Sequence, residues 1–144
     1  MLSFFAAAVW PVWYVYTFAI GPTVRFNIPL VHDGFVPQIN DSFDLEFGLD
    51  FAIVPNASTY GHIPVFFLPV VEPRYTVYLL PQLAVYAKPL NLGIMIWPID
   101  SAYRSPVYFH WSGAVGVLYK VTDKLHLRGE IGTYAVRFGL GIAF

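Results

Sequence analysis

The chain has 144 residues, of which 57% are apolar and only 12% are charged, against roughly half apolar and a quarter charged in soluble domains. That length fits one domain, and the excess of apolar residues indicates a hydrophobic solvent. The net charge of -1, without any Lys/Arg cluster, gives no electrostatic case for nucleic acid as a partner. The absence of cysteine excludes disulfides, thiolate metal sites and cysteine nucleophiles.

The amino-terminal stretch is apolar, and the first charged residue is Arg25. A run of this length could be a membrane helix or a signal peptide, but both interpretations have faults. No Lys or Arg precedes the apolar segment, and Pro11 and several aromatic residues interrupt it. Residues 1–8 are therefore read either as the remnant of an export signal or as a short extension of the domain, and residues 1–20 as either strand or processing remnant.

Large apolar residues recur at every second position through most of the chain, which predicts β-strands rather than helices. The clearest case is residues 43–53, where apolar odd positions oppose Asp44, Glu46 and Asp50. Gly21-Pro22 predicts a turn between the first two strands. The predicted strands cover residues 12–20, 23–31, 43–53, 68–79, 83–97, 107–121, 125–132 and 134–144.

The segment between residues 63 and 97 allows two interpretations. One continues a strand through Pro73 and turns at Leu80-Pro81-Gln82, with a bulge in the next strand near Pro89. The other turns at Glu72-Pro73-Arg74 and again at Lys88-Pro89, which yields nine strands. We prefer the first, because bacterial single-chain barrels have even strand numbers with both termini on the periplasmic side.

The last eleven residues carry the most specific pattern. From Tyr134 onward the even positions are large and apolar, whereas the odd positions are small except for Arg137. This pattern resembles the C-terminal strand of bacterial outer-membrane β-barrels, which typically ends in Phe and is read by the barrel-assembly machinery. The resemblance implies an assembly signal formed by Val136, Phe138, Leu140, Ile142 and Phe144.

Charged residues segregate to one face of the predicted strands. The ten expected in the lumen are Arg25, Asp44, Glu46, Asp50, Glu72, Arg74, Lys88, Arg128, Glu130 and Arg137. Five cations balance five anions, and eight strands enclose a space just wide enough for side chains, so we expect ion pairs that plug the barrel. We expect Arg137 to pair with Glu130 or Asp44. The architecture resembles the small OmpA/OmpX-type outer-membrane barrels over residues 10 to 144, which implies an all-β, eight-stranded antiparallel up-and-down transmembrane barrel.

One short motif could support chemistry. His110 and Ser112 share a strand face about 7 Å apart, a spacing that suits a histidine-activated serine with Glu130 as the acid. The motif is similar to the His-x-Ser of outer-membrane lipid A deacylases. Our register points both side chains inward, however, so the simpler interpretation is a lumenal histidine beside a small filler residue.

The remaining candidates favour structural roles. His126 with one carboxylate makes a poor metal-ligand set, and the acidic row on residues 43–53 has Arg25 on the neighbouring strand for pairing. No metal or cofactor is therefore expected. The aromatic residues near strand ends are expected to form an interfacial girdle, and they are Trp10, Trp13, Trp97, Trp111 and Tyr119.

These observations predict a single domain over residues 1–144 in the bacterial outer membrane, in contact with its lipid bilayer and with the barrel-assembly machinery. The leading functional interpretation is a non-enzymatic barrel that acts as a membrane anchor, an adhesion surface or a subunit of an envelope complex with other proteins. The alternatives are a lipid A deacylase-like hydrolase using His110 and Ser112, and a narrow channel or small-solute transporter.

Overall fold

The computed structural model describes residues 1–10, 18–31, 35–36, 38–55, 65–97 and 107–144. Eight strands pair in chain order into one closed antiparallel barrel. They are β1 (Leu2–Val9), β2 (Ala19–Val31), β3 (Asp41–Ile53), β4 (Val65–Leu80), β5 (Leu83–Ile96), β6 (Val107–Lys120), β7 (Leu125–Gly132) and β8 (Ala135–Ile142). Among the described residues, no helix is long and apolar enough to cross a membrane. The predicted all-β barrel is confirmed.

The amino-terminal residues that the sequence left open belong to the barrel wall. Leu2–Val9 forms β1, which pairs with β2 on one side and with β8 on the other, so this strand closes the barrel. The predicted first strand over residues 12–20 lies mostly outside the described residues, and its described end already belongs to β2. Alanine occupies both faces of β1, which is why period-two alternation did not reveal it.

The predicted turn at Gly21-Pro22 is wrong, because β2 runs straight through both residues. Pro22 lies opposite Ala6 of β1. A Cβ at Gly21 would overlap the main chain of Phe51, so glycine here allows β2 and β3 to approach closely. The dipeptide is therefore a packing feature rather than a chain reversal.

The interpretation of residues 63–97 that gives eight strands is confirmed. β4 is continuous through Pro73 and reverses after Leu80 into β5. Register shifts separate Lys88 from Asn91 in the β5–β6 pairing and Val71 from Tyr75 in the β4–β5 pairing. Both shifts surround a proline, which cannot donate to the ladder and is accommodated at bulges.

The outer face of the wall is apolar. Exposed side chains include Phe47, Leu49, Val117, Phe138 and Leu140. Among the described residues, no charged side chain lies on this face between the strand ends. A cation near the midplane of a bilayer would cost about 2–4 kcal/mol, so this exterior is suited to lipid.

Three of the five aromatic residues expected in the interfacial girdle lie on the surface of the barrel. Trp10, Trp111 and Tyr119 are exposed, at 38%, 70% and 44%. Trp97 instead packs against the interior, where its ring centroid lies 5.2 Å from that of Phe66. Trp13 lies outside the described residues. Trp97 differs because it follows β5 two residues after Met95, and alternate residues of a strand point to the same side, which here is the interior.

The two ends of the barrel differ. At one end, here called the termini end, lie Leu2 and Ile142, the β2–β3 connection over residues 32–40, the β4–β5 turn and the β6–β7 turn over residues 121–124. The opposite end, here called the loop end, carries the connections over residues 10–18, 54–64 and 97–106 and the short β7–β8 turn. Three of the four connections at the loop end have nine to eleven residues, whereas at the termini end only the β2–β3 connection is that long. Longer connections on one side of the barrel are typical of outer-membrane barrels.

The lumen changes chemistry along its length. Near the loop end it is filled by an apolar cluster to which six strands or their flanking residues contribute. The cluster consists of Ala7, Val9, Ala19, Ala52, Val54, Phe66, Leu68, Val70, Met95, Tyr134 and Ala135. Below it, toward the termini end, the inward positions of the same strands become charged. Tyr134 was expected on the outer face, but it precedes β8 in the turn, where its side chain turns inward and is 9% exposed.

Candidate functional site in the barrel lumen

Period-two geometry brings charged side chains from six strands into one cross-section of the lumen. In β4, for example, Glu72 and Arg74 continue the inward-facing row that begins with Phe66. All ten charged residues expected in the lumen are buried there, with exposures of 0 to 4%. Because eight strands enclose a space just wide enough for side chains, each charge must find its partner among the other side chains of the lumen.

Six of these charges form a closed loop of alternating sign, which we call the ion ring. Its members, in order of contact, are Lys88, Glu72, Arg25, Asp50, Arg137 and Glu130, and Glu130 returns to Lys88. The N···O distances are 2.7 Å from Lys88 to Glu72, 3.0 Å from Glu72 to Arg25 and 2.5 Å from Arg25 to Asp50. They are 2.7 Å from Asp50 to Arg137 and 2.7 Å from Glu130 to Lys88. Arg137 of β8 and Glu130 of β7 lie opposite each other in the strand pairing and are in direct contact.

A second hub extends the ring toward the termini end. Glu46 accepts hydrogen bonds from Lys88 at 2.6 Å and from Arg74 at 3.1 Å, and it pairs with Arg128 at 3.1 Å. Arg74 also donates to Asp44 at 2.8 Å. Asp44 is therefore the partner of Arg74 and not of Arg137, whose second partner is Asp50. The row of acids on β3 is divided among different cations.

Lys88 contacts three carboxylates of the network at short distance. Its Nζ lies 2.6 Å from Glu46, 2.7 Å from Glu72 and 2.7 Å from Glu130. Glu46 and Glu72 are directly opposed in the β3–β4 register, so without the ammonium two like charges would face each other. Lys88 therefore removes a repulsion that strand pairing creates.

Several members of the site were not found from the sequence. Tyr86 donates to Glu130 at 3.3 Å, and its ring lies 5.1 to 5.8 Å from the cationic groups of three neighbours, so cation–π contact adds to the network. Ser3 of β1 accepts from Arg128 at 2.8 Å. Tyr86 lies two residues before Lys88, so the shared parity within β5 was the signal that could have revealed it.

The residues of the hydrolase alternative are not brought together. Ser112 is 5% exposed and accepts from Asn91 Nδ2 at 3.3 Å. The His110 ring packs edge-on against Tyr134 with centroids 4.4 Å apart. Glu130 is held by Lys88 and Arg137. Because both candidate groups face the lumen and the acid is committed to the ion ring, the arrangement lacks a base–acid pair and access for an acyl chain.

The described residues contain no group of three or more His, Asp or Glu side chains suited to a metal ion.

In the β6–β7 turn, Lys120 lies 2.8 Å from Asp123. This hydrogen bond lowers the pKa of the Asp123 carboxyl, although both groups are exposed to solvent. Solvent weakens such a pair, so it contributes little to folding.

Comparison with known proteins finds solved structures of the same fold at low sequence identity. No protein-family model and no curated protein sequence matches the chain. Two crystal structures of Ail, the attachment invasion locus protein of Yersinia pestis, match with TM-scores of 0.63 and 0.60. The first is a complex with the heparin analogue sucrose octasulfate. Each match covers 99% of this chain and 95% of Ail at 9% identity. The fold is therefore that of a small eight-stranded outer-membrane β-barrel.

Proposed function

We propose that this chain is a sealed barrel of the bacterial outer membrane that anchors and presents a contact surface at its loop end. The observation that carries the proposal is the ion ring, whose six side chains pair across the lumen. With every charge paired and an apolar cluster above, the interior resembles a protein core more than a passage. Function then belongs to the outside of the barrel, as an anchor, an adhesion surface or a subunit of an envelope complex.

The sealed lumen argues against the channel alternative. An ion crossing the barrel would have to break several buried ion pairs and then enter the apolar cluster, where an unpaired charge is strongly disfavoured. Purified full-length protein in a planar bilayer should give no discrete conductance steps, with an open porin as the positive control. Reproducible steps that scale with the amount of folded protein would overturn the seal.

The hydrolase alternative has an equally direct test. The Ser112→Ala variant should leave the lipid A acylation pattern of expressing cells unchanged, because Ser112 accepts a hydrogen bond from Asn91 and faces the lumen. Mass spectrometry of extracted lipid A is the measurement. Loss of a deacylated species in the variant, with equal amounts of folded barrel, would restore the enzymatic interpretation.

Adhesion is the presentation role that the likeness to Ail favours, but a polyanionic ligand does not suit this chain. The chain has 8 Lys and Arg residues, of which five are buried in the lumen. Lys120 and Lys124 lie beside the β6–β7 turn at the termini end, and the remaining one, Arg104, lies between β5 and β6 in the sequence. Sulfated ligands are bound through clusters of basic groups. We therefore propose an adhesion partner that is not a polyanion.

Binding of intact cells separates these proposals. Cells expressing the full chain should adhere to host cells or matrix more than empty-vector cells, and added heparin should not compete. Competition by heparin would contradict the proposed partner class. Failure to adhere to any tested surface would leave the anchor or subunit role, which co-purification of envelope proteins in mild detergent would reveal.

Assembly is proposed to depend on β8 and the residues after it. Val136, Phe138, Leu140 and Ile142 all point outward, and Phe144 is 85% exposed beyond the strand end. These are the positions that the barrel-assembly machinery would read. Unboiled protein should migrate faster than boiled protein in a detergent gel, and equal mobility would count against a stably folded barrel.

A further inference from the structure

We propose that a free edge of β6 at the loop end binds an extended segment of a partner protein, which adds to the barrel wall as a further strand. Residues 107–112, here called the β6 edge, pair with β5 on one side. The pairing of β6 with β7 covers only Ala114 to Lys120. The proposal rests on the contact surface proposed above and names the kind of partner that this surface takes.

The β6 edge is free because the next two strands are short. β7 ends at Gly132, and β8 begins at Ala135. In the turn between them, Thr133 donates its main-chain N–H to the Gly113 carbonyl at 2.9 Å, and Gly113 donates its own N–H to Thr133 Oγ1 at 3.2 Å. These two bonds end the ladder at Gly113. β6 therefore continues toward the loop end beyond the hairpin that should flank it.

The alternation of the main chain identifies the unpaired groups. Successive residues of an antiparallel strand direct their N–H and C=O groups to opposite neighbours. Gly113 directs its groups toward the β7–β8 hairpin, so Val107, Phe109 and Trp111 direct theirs to the same side. Among the residues that the structure describes, no strand pairs with these three on that side. Such a row of donors and acceptors is a template for another extended chain.

The β6 edge lacks the devices that usually protect an edge strand. Proteins blunt exposed edges with charged side chains, proline or bulges. The edge sequence Val-Tyr-Phe-His-Trp-Ser contains no charged residue and no proline. Its outward side chains Phe109 and Trp111 are 71% and 70% exposed. Aromatic side chains stabilise cross-strand pairs, so these two would contribute to binding of a partner strand.

The position of the β6 edge allows a partner to reach it from outside the bilayer. Tyr119 and Trp111 both point outward on β6, and at a tilt of 35–45° the eight residues between them span about 20 Å of membrane thickness. The apolar band of an outer-membrane barrel is about 25 Å tall and has aromatic girdles at both boundaries. Trp111 therefore lies near the boundary at the loop end, and Phe109 lies beyond it.

The edge also defines the chemistry of its partner. A strand added to β6 would place alternate side chains beside Phe109 and Trp111, where aromatic or β-branched residues fit. Its other side chains would lie beside His110 and Ser112, where polar residues fit. The partner is therefore an extended segment of about six residues in which apolar and polar residues alternate. Because the edge carries no charge, recognition does not require a polyanion.

A second copy in the same membrane does not fit the β6 edge. Two copies would be related by an axis along the membrane normal, so their tilted strands would cross at twice the tilt, about 70–90°. Strands at that angle cannot form a ladder. The partner is therefore a different protein, or a free peptide that can align with the edge.

Hydrogen exchange of the full chain in lipid nanodiscs, followed by NMR, tests the edge directly. Without a partner, the amides of Phe109 and Trp111 should exchange rapidly, whereas those of His110 and Ser112, which point toward β5, should exchange slowly. The probe is an acetylated and amidated peptide with the edge sequence itself, which should protect Phe109 and Trp111. The same peptide N-methylated at every residue is the control and should not protect them. Protection of both amides before any peptide is added, or none after it, would overturn the proposal.

A pair of variants separates the main chain from the side chain. Because the Phe109 N–H points away from β5, Phe109→Pro removes an edge donor and leaves the β5–β6 ladder intact. Phe109→Ala removes the same side chain but keeps the donor. In calorimetric titration with the peptide, Phe109→Pro should bind about tenfold more weakly than Phe109→Ala. Equal affinities of two folded variants, checked by gel mobility, would contradict recognition through the main chain.

Adhesion of cells distinguishes failure of this proposal from failure of the proposed function. Cells expressing Phe109→Pro should adhere less than cells expressing Phe109→Ala. If both variants adhere as well as the unaltered chain, the contact surface stands and the β6 edge is not its binding site. If the unaltered chain adheres to no surface, the adhesion role fails, and the exchange experiment alone decides whether the edge takes a strand.

Discussion

Replacing Lys88 with methionine is the sharpest test of the lumenal network. The substitution keeps an unbranched side chain of similar length but removes the ammonium that touches Glu46, Glu72 and Glu130 at 2.6 to 2.7 Å. The ten charges of the lumenal network then change from five against five to four cations against five anions. The directly opposed carboxylates of Glu46 and Glu72 lose the cation between them.

The expected loss is large on the scale of folding free energies. Removing one partner of a buried ion pair costs about 3–5 kcal/mol, because the other charge stays buried without compensation. Here three carboxylates lose a partner, but each retains an arginine: Glu46 keeps Arg74 and Arg128, Glu72 keeps Arg25 and Glu130 keeps Arg137. We therefore expect Lys88→Met to lower the free energy of unfolding by about 3–5 kcal/mol rather than by a multiple of that value.

The assay is urea unfolding of barrels refolded into lipid vesicles, followed by tryptophan fluorescence and by gel mobility. Lys120→Met is the matched control, because the Lys120 side chain is 41% exposed and its partner Asp123 lies in a turn, so its loss should be within about 1 kcal/mol. Adding Glu72→Gln to Lys88→Met restores charge balance and should recover part of the lost stability. Equal effects of the two lysine variants, or no recovery in the double variant, would refute the role of Lys88.

Three further substitutions separate the wall, the lumen and the assembly signal. Arg137→Ala should lower the free energy of unfolding by about 3–5 kcal/mol, because Asp50 and Glu130 lose a shared partner. Phe144→Ala should change it by less than about 0.5 kcal/mol, since Phe144 is exposed, but should reduce the yield of folded barrel in cells. Equal yield and equal urea midpoints for these two variants would contradict that division. Gly48→Ala should cost about 1–3 kcal/mol, because its Cβ would occupy space now taken by the Arg25 side chain; an unchanged midpoint in urea would show that Arg25 can move without loss.

Much of the fold could be predicted because a lipid solvent makes the strand pattern explicit. The outer face must be apolar and the inner face must take every charge, so β3, β7 and β8 were recognisable from alternation alone. β1 was missed because prediction depends on this contrast between the two faces. Its outer positions Ala6 and Ala8 match inner Ala7 in size, and no alternation remains to be seen. Only pairing with β2 and β8 shows that it is a strand.

The sequence predicted which charged residues face the lumen, but not all of the ion pairs that they form. Parity alone indicates that Arg137 and Glu130 point inward, and adjacency of β7 and β8 in the chain predicts their contact. The second partner of Arg137 is Asp50, which is far away in sequence and on a strand that does not pair with β8. That contact depends on the stagger of the strands and on the reach of the side chains across the lumen.

The sequence by itself determined the class of this protein, a barrel in a lipid solvent. Lipid outside the barrel requires apolar side chains at every outward position of the wall, which leaves an alternating pattern that can be read along each strand. The tertiary structure decided which charges meet, that six of them close into a ring, and that an apolar cluster lies above it. It also decided that His110 packs on Tyr134 rather than on Ser112. These features depend on which side chains meet when the barrel closes. Closure brings together residues that are far apart in the sequence, and no local pattern in the chain predicts such contacts.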